Sequence, residues 1–431
     1  MKNKVLTGLL LVLIGGWGSL SAQSAGSNYA RQVNTLIGTK GVGLTSGYLY
    51  PGATYPYGMV QFTPSYFSKR SGFVINQLSG GGCEHMGNFP TFPVKGKLKM
   101  SPDNILNYRI NISEEKGHAG YYEAMVQEDI KAKLTVTERT GMASYEYPAD
   151  QQYGTVIIGG GISATPIEQA AIVITAPNKC EGYAEGGNFC GLRTPYKVYF
   201  VAEFDTDALE SGTWKRNELK PNTTFAEGEY SGVYFTFDVN KKKNIQYKIG
   251  VSYVSVENAR ENLKAENTGW DFLQIQNQAE SKWNHYLGMI EVEGTNPDRT
   301  IQFYTHLYRS FIHPNVCSDV NGEYMGADFR VHKSRSKHYT SFSNWDTYRT
   351  QIQLLSMLDP EVASDIVISH QLFAEQSGGS FPRWVMANIE TGVMQGDPTP
   401  ILIANAYAFG ARNYDPKPIF KIMRKGAEEP G

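Results

Sequence analysis

A short polar and aromatic segment in the second half of the chain carries the residues best suited to hold a small polar ligand. It reads SFSNWDTYRT over residues 341–350 and contains Trp345, Asp346 and Arg349. Three residues apart, Asp346 and Arg349 would share one face of a helix, with the indole beside them. An aromatic plane next to a fixed carboxylate and guanidinium suits a pyranose, because the ring stacks and the charged groups bind neighbouring hydroxyls. The same spacing also describes an ion pair at a helix start with a core tryptophan.

A second candidate is a glycine-rich segment in the first half, with the sequence LSGGGCEHMGNFP over residues 78–90. Three consecutive glycines let the backbone approach another group closely. Cys83, Glu84 and His85 follow them, and the last two side chains can hydrogen-bond ligand hydroxyls. The segment is not a phosphate loop, since neither Lys-Ser/Thr nor a helical pattern follows the glycines. The alternative is a glycine-rich turn with a solvated glutamate.

Two further segments are predicted to form loops rather than regular secondary structure. The segment YPGATYPYGM, residues 50–59, has too many prolines and glycines for a central strand, so it forms a stiff loop with either a structural or a binding role. A long connection over residues 378–396 offers Glu390, either as a candidate carboxylate or as a solvated loop acid. The sequence shows no Ser–His–Asp order and no zinc-ligand spacing.

The elements that must position these segments change type along the chain. From about residue 30 to 256 apolar residues alternate with polar ones, which predicts an antiparallel β-sandwich. The clearest alternations are Tyr196, Val198, Phe200, Ala202 and Phe204; Val233, Phe235, Phe237 and Val239; and Tyr247, Ile249, Val251 and Tyr253.

After Val256 the apolar period becomes helical. One predicted helix buries the face from Phe272 to Tyr286, and the next begins at an Asn296 cap followed by Pro297. Further helices are predicted over residues 344–358, from residue 360 to the glycines at 378–379, over residues 400–410, and from about residue 418. Strands followed by helices predict two domains rather than one α/β unit.

The composition and the N-terminal segment limit the classes of protein to which this chain can belong. The 431 residues carry 40 basic and 42 acidic side chains, a balance that argues against a nucleic-acid partner. Lys2 and Lys4 precede an apolar run over residues 5–17, and small residues follow at 19–22. This pattern predicts a signal peptide at residues 1–22 and a periplasmic or extracellular protein, and no later segment is apolar enough to span a membrane.

The chain has four cysteines, at positions 83, 180, 190 and 317. Export to an oxidising compartment favours disulfides. Cys180 and Cys190 flank a glycine-rich stretch and could pair, while the alternative is four buried free thiols.

Ten ordered segments together resemble glycoside hydrolase family 92, the calcium-dependent exo-acting α-mannosidases. They read VNTLIGT, YPGATYPYGMVQFTP, LSGGGCEHMGNFP, GHAGYYEA, KLTVTERTG, VSYVSVENARENL, FYTHLYRSFIHPN, DVNGEYMG, SNWDTYRT and LDPE. The resemblance implies an N-terminal antiparallel β-sandwich joined by a helical linker to an (α/α)6 barrel. It also implies inverting hydrolysis of terminal α-linked mannose from glycans, assisted by a calcium ion.

Mapped onto this chain, the resemblance gives a signal peptide at 1–22, a sandwich at 23–256, a linker at 257–295 and the first helices of an incomplete barrel at 296–431. The WDTYR match implies that Trp345, Asp346 and Arg349 hold the terminal mannose, with Cys83, Glu84 and His85 facing the same pocket. The catalytic acid, the base and the calcium contacts are expected beyond Gly431. We therefore expect this chain to supply the sandwich and part of the sugar subsite; the alternative is a secreted carbohydrate-binding fragment without hydrolysis.

Overall fold

A computed structural model of the protein describes residues 28–40, 47–65, 72–103 and 111–429. The predicted signal peptide lies outside the described residues. Within them, antiparallel sheets come first and helices follow, which confirms the predicted fold class. None of the described helices is both long enough and apolar enough to cross a bilayer.

Two antiparallel sheets form the N-terminal part, here called the sandwich. The first has the strand order β1-β2-β3-β4-β9-β16-β13-β14, and the second has the order β15-β10-β11-β12-β17-β8-β7-β6-β5. The strands are β1 (Ala53–Thr54), β2 (Gln61–Pro64), β3 (Phe73–Val74), β4 (Thr91–Lys95), β5 (Ile112–His118), β6 (Tyr121–Val126), β7 (Ile130–Val136), β8 (Thr140–Glu146), β9 (Tyr153–Gly159), β10 (Ile167–Ala176), β11 (Lys179–Phe189), β12 (Leu192–Phe204), β13 (Glu210–Lys215), β14 (Glu218–Pro221), β15 (Phe225–Glu227), β16 (Ser231–Asp238) and β17 (Asn244–Ser252).

The core of the sandwich lies between the two sheets. In β12 the alternating apolar residues from Tyr196 to Phe204 are buried, while Lys197, Tyr199 and Glu203 between them are partly exposed. Phe204 packs across the layers against Phe235 of β16, with ring centroids 4.9 Å apart. The period of two therefore places one face of β12 in the core, because successive side chains point to opposite faces of a sheet.

The second part, residues 256–429, is here called the helical module. Its helices are α1 (Val256–Glu266), α2 (Phe272–Leu287), α3 (Pro297–Ser310), α4 (Asn344–Thr347), α5 (Gln351–Leu358), α6 (Pro360–Gln376), α7 (Pro398–Phe409) and α8 (Pro416–Glu428). Three small two-stranded sheets interrupt them, formed by β18 (Asn315–Val316) with β21 (Tyr339–Thr340), β19 (Glu323–Met325) with β20 (Val331–Lys333), and β22 (Val385–Met386) with β23 (Ile389–Glu390).

Two helix starts follow the caps that the sequence predicts. Asn296 accepts hydrogen bonds from the Asp298 and Arg299 amides, and Pro297 occupies the first turn of α3. Asp359 likewise caps α6 ahead of Pro360. In both cases the side-chain oxygen satisfies an amide that has no partner within the helix.

The single helix predicted over residues 344–358 is wrong, because the chain breaks between α4 and α5. Thr350 leaves helical values, with φ −149° and ψ −27°. The Tyr348 carbonyl, which a continuous helix would satisfy internally, instead accepts from the side-chain amides of Gln353 and Asn405 at 3.0 and 3.2 Å. These two amides take the place of the missing backbone bond and make the break stable.

The proline- and glycine-rich loop at residues 50–59 docks the sandwich onto the helical module. Trp283 of α2 donates to the Thr54 carbonyl at 2.6 Å, and the Tyr57 amide donates to the Phe311 carbonyl at 2.8 Å. Tyr57 also accepts from the Val316 amide at 2.8 Å, and its ring is buried. These contacts favour the structural role for this loop.

Candidate functional site

A cavity of about 410 Å³ lies where the sandwich meets the helical module. The sandwich contributes the glycine-rich loop, defined here as residues 78–83, and the tip of the β11–β12 hairpin. The helical module contributes residues 341–344, 346 and 347 around α4 and parts of α3, α5, α6 and α7. A cleft of this size between two modules, lined by apolar walls and a few polar groups, is typical of a small-molecule site.

The glycine-rich loop forms one wall, and its shape requires glycine at two positions. Gly80 has φ +83°, a value that side-chain-bearing residues rarely adopt. A Cβ atom on Gly81 would lie 2.9 Å from the His85 ring. The glycines therefore allow the backbone to turn tightly against that imidazole.

Two histidines hold the start of this loop from opposite modules. His85 Nε2 accepts from the Leu78 amide at 2.8 Å, and His313 Nε2 accepts from the Ser79 amide at 2.8 Å. The Nδ1 atoms lie 2.7 Å from the Cys83 carbonyl and 2.8 Å from Asn315 Oδ1. An imidazole that accepts at one nitrogen and donates at the other is neutral, so both rings carry their proton on Nδ1.

Burial reinforces the neutral state of both rings. It lowers the pKa of His85 to about 4 and that of His313 to about 4, because a charged imidazole would lose its hydration. The nearby Arg309 cation also disfavours a charge on His313. Both rings are therefore neutral hydrogen-bond acceptors at neutral pH.

A disulfide joins Cys83 at the end of the loop to Cys190 at the tip of the β11–β12 hairpin. The predicted Cys180–Cys190 pair and the alternative of four free thiols are both wrong. Cys180 points into the sandwich core and Cys317 is also buried, and both are free thiols. Cys190 instead lies at the hairpin tip, beside the cavity.

The apolar wall of the cavity contains an aromatic pair from the two modules. Phe189 of the hairpin packs on Trp384 of the helical module, with centroids 4.4 Å apart and planes inclined by 30°. Both rings line the cavity. Because the two rings cover each other and are only 3% and 6% exposed, they form an apolar wall that joins the two modules rather than an open face for stacking.

Of the residues predicted around 345, only Asp346 lines this cavity. The structure brings Asp346 together with the predicted Cys83, and Asp346 accepts a hydrogen bond from Ser343 Oγ. Arg349 instead stacks on Trp345 at 4.7 Å and on Tyr348 at 5.5 Å, and within the described chain no ion pair joins Arg349 to Asp346. The expected fixed Asp–Arg pair is absent because α4 ends at Thr347, before it reaches Arg349.

Glu84 and His85 lie next to the loop but outside the described lining of the cavity. Glu84 is exposed, whereas His85 is 1% exposed and binds the loop from behind. Binding of ligand hydroxyls by these two residues remains a prediction.

Sequence reasoning missed several residues that build the site. Asn344 joins three parts of the helical module, because its amide contacts His370 of α6, the Pro382 carbonyl and Thr399 of α7. Arg309 lines the cavity and donates to the Thr35 carbonyl at 2.7 Å. His313 stood in the FIHPN segment, but nothing in its spacing showed that it would reach the glycine-rich loop.

Comparison with known families covers nearly the whole described chain. The Glycosyl hydrolase family 92 N-terminal domain matches residues 32–252, more than half of the chain, and the Glycosyl hydrolase family 92 catalytic domain matches residues 258–431. The chain belongs to glycosyl hydrolase family 92. This confirms the resemblance on which the site predictions were based.

Individual relatives of this family-92 chain are longer than it is. It is 26% identical to an uncharacterized secreted glycosidase of Arthroderma benhamiae, over 74% of this chain and 45% of that protein. It is 24% identical to a family GH92 alpha-mannosidase of Bacteroides thetaiotaomicron, with a TM-score of 0.85 over 94% of this chain and 57% of that one. An inverting family GH92 mannosidase of the same organism is 24% identical to this chain, with a TM-score of 0.81 over 94% of this chain and 56% of that one. The chain thus spans about half the length of these relatives, and the two structures establish its fold.

The calcium ion that the family resemblance implies has no ligand set in the described part of the chain. Among those residues, no three or more His, Cys, Asp or Glu side chains converge to hold a metal ion. Calcium needs about six to eight oxygen ligands, usually including carboxylates. The calcium requirement therefore remains a prediction.

Proposed function

We propose that this chain forms the sandwich side and part of the sugar subsite of an exported α-mannosidase. The whole enzyme would remove terminal α-linked mannose from glycans with inversion, assisted by calcium. The main support for this proposal is the cavity between the two modules, which both the glycine-rich loop and Asp346 line. Family membership and the mannosidases of the same fold support the choice of mannose.

The cavity suits recognition of one sugar ring. The Asp346 carboxylate, which is exposed in the absence of ligand, accepts hydrogen bonds from neighbouring hydroxyls, and charge-assisted bonds of this kind contribute about 1.5–3 kcal/mol each once the sugar shields them from water. The Phe189–Trp384 wall gives the cavity an apolar side that excludes water from one face of the ring. The disulfide and the two histidines keep the glycine-rich loop against the opposite side.

Inverting hydrolysis needs a general acid and a general base about 6.5–9.5 Å apart. Asp346 is the single carboxylate among the described lining residues. We therefore assign it to substrate binding and assign the acid–base pair to other residues of the whole enzyme.

Replacing Asp346 with alanine should lower kcat/KM for 4-nitrophenyl α-mannoside in the whole enzyme at least about tenfold, because a charge-assisted bond to the sugar is lost. Asp346→Asn, which keeps the shape and one acceptor, should lose less. Arg349→Ala is the matched control from the same segment, since Arg349 lies outside the described lining. Wild-type kinetics for Asp346→Ala would remove this residue from the sugar subsite.

Chelation tests the proposed metal. Removing calcium with EGTA should abolish most turnover by the whole enzyme, and added calcium should restore it, because a bound cation stabilises transition-state charge. Magnesium is the control cation, since its strict octahedral preference makes it a poor substitute. Full activity in EGTA would contradict the calcium proposal and leave the mannoside proposal standing.

The second candidate function is carbohydrate binding without hydrolysis. The single described carboxylate in the cavity favours it, since one such group binds a sugar but does not supply an acid–base pair. Calorimetry with methyl α-mannoside, run beside a turnover assay with 4-nitrophenyl α-mannoside on the whole protein, separates the two. Binding without turnover by the whole protein supports this candidate, turnover contradicts it, and the absence of binding contradicts both.

A further inference from the structure

We propose that His85 and His313 are positioning residues that hold the glycine-rich loop in its ligand-ready shape only while both imidazoles are neutral. The inference deepens the proposed function, because that loop forms one wall of the proposed sugar subsite. We assign neither imidazole the role of general acid or general base; each binds a backbone amide of the loop.

The two imidazoles bind consecutive backbone amides of the loop, and this pair of contacts is called the clamp below. His85 comes from the sandwich and binds the Leu78 amide, while His313 comes from the helical module and binds the Ser79 amide, each at 2.8 Å. The Gly80 amide continues the same stretch by donating to the Tyr48 carbonyl at 2.8 Å. The start of the loop is thus fixed from both sides of the domain junction.

Neither ring can take up a proton and keep its bond. Nδ1 of each ring already donates, to the Cys83 carbonyl and to Asn315 Oδ1 respectively. The proton would therefore go to Nε2, which would turn the acceptor into a donor facing an amide N–H. Protonation replaces an attractive contact with a repulsive one and leaves a buried charge, so the loop must move.

The cations around the clamp work in the same direction. The Arg309 cation acts on His313, and a charge on His85 further disfavours a charge on His313. The carboxylates of Asp346, which lines the same cavity, and of Glu84, which follows the loop, would act in the opposite direction, but both side chains are exposed and their charges are screened by water. Asn315 is itself held by bonds to the Gly58 and Ile312 carbonyls at 2.8 and 3.0 Å, so it cannot turn to offset the charge.

The pH window follows from the difference between folded and released states. A released imidazole has a pKa of about 6.5, and burial lowers the clamped value to about 4. The open loop binds more protons between these values, so the clamp is at full strength above pH 6.5 and weakens as pH falls towards 4. For an opening that frees one imidazole, the population of the open loop should rise on the order of 50-fold between pH 7 and pH 4.5.

Hydrogen–deuterium exchange tests this without any ligand or activity. After correction for intrinsic rates, protection of the Leu78 and Ser79 amides should fall on the order of 50-fold from pH 7 to pH 4.5. The Phe235 amide, in the middle of β16, should keep its protection over the same range. A parallel loss at Phe235, or no loss at the loop, would overturn the proposal.

Glutamine variants separate titration from shape. In His85→Gln and His313→Gln the side-chain oxygen can still accept from the amide but does not titrate, so the pH dependence at the bound amide should flatten. His338→Gln is the control, because His338 is also a buried histidine with a lowered pKa but has no bond to the loop. Equal flattening by all three variants would contradict the clamp. If a glutamine variant fails to fold, the pH series on the wild-type chain decides alone, and loss of mannoside binding bears only on the proposed function.

Discussion

Replacing Arg139 with methionine should lower the free energy of unfolding by about 3–5 kcal/mol, one of the largest effects expected of a single substitution here. Arg139 lies in the β7–β8 turn and is 6% exposed. Its guanidinium contacts Glu138 at 2.6 Å and Glu266 of α1 at 2.7 Å, and it donates to the Ser318 carbonyl at 2.7 Å. Removing the cation leaves the Glu138 and Glu266 carboxylates, which are only 13% and 15% exposed, without the guanidinium that they share.

The pKa of Glu138 shows how strongly this cation acts. Burial alone would raise that pKa, yet the Arg139 and Lys337 cations hold it below its usual value. Urea unfolding should show a lower midpoint at an unchanged slope. The control is Arg193→Met at the exposed pair with Glu168, which should leave the midpoint almost unchanged. Equal midpoints for the two variants would mean that the Arg139 cluster does not stabilise the fold.

Removing the disulfide, in the double variant Cys83→Ser and Cys190→Ser, should cost about 2–5 kcal/mol. The bond closes a loop of 107 residues in sequence, and in the chain-entropy account a loop near that length contributes about 4.7 kcal/mol by restricting the unfolded chain. Thermal unfolding without reductant is the measurement.

Reductant provides the matched control for that variant. Dithiothreitol should lower the melting temperature of the wild-type chain to that of the double variant and should leave the double variant itself unchanged. The free thiols of Cys180 and Cys317 are present in both chains and so cancel. A wild-type melting temperature that does not respond to reductant would show that the bond contributes nothing.

The strands were predictable from sequence because burial on one face leaves a period of two, as in β12. The starts of α3 and α6 were predictable because their caps are local in sequence. The break between α4 and α5 was not, since the group that satisfies the Tyr348 carbonyl from outside is Asn405, more than fifty residues away.

The same distinction between local signals and long-range contacts explains which residues of the site could be predicted. Asp346 and Cys83 were found through motifs, and the structure places both at the cavity. The disulfide partner was missed because Cys180 and Cys190 are near in sequence but differ in position, one in the core and one at a hairpin tip. The Phe189–Trp384 wall and the His313 contact exist only after the two modules pack together.

Tyr57 has a further consequence for how such a protein can change over generations. Its peptide group bonds to residue 311 on one side and residue 316 on the other, so a residue of the sandwich completes the backbone pairing of the helical module. A recombination event that exchanged only one module would bring together surfaces whose main-chain donors and acceptors no longer match. Because the Tyr57 and Phe311 rings also pack edge to face, with centroids 6.1 Å apart, we expect the two modules to be inherited as a pair.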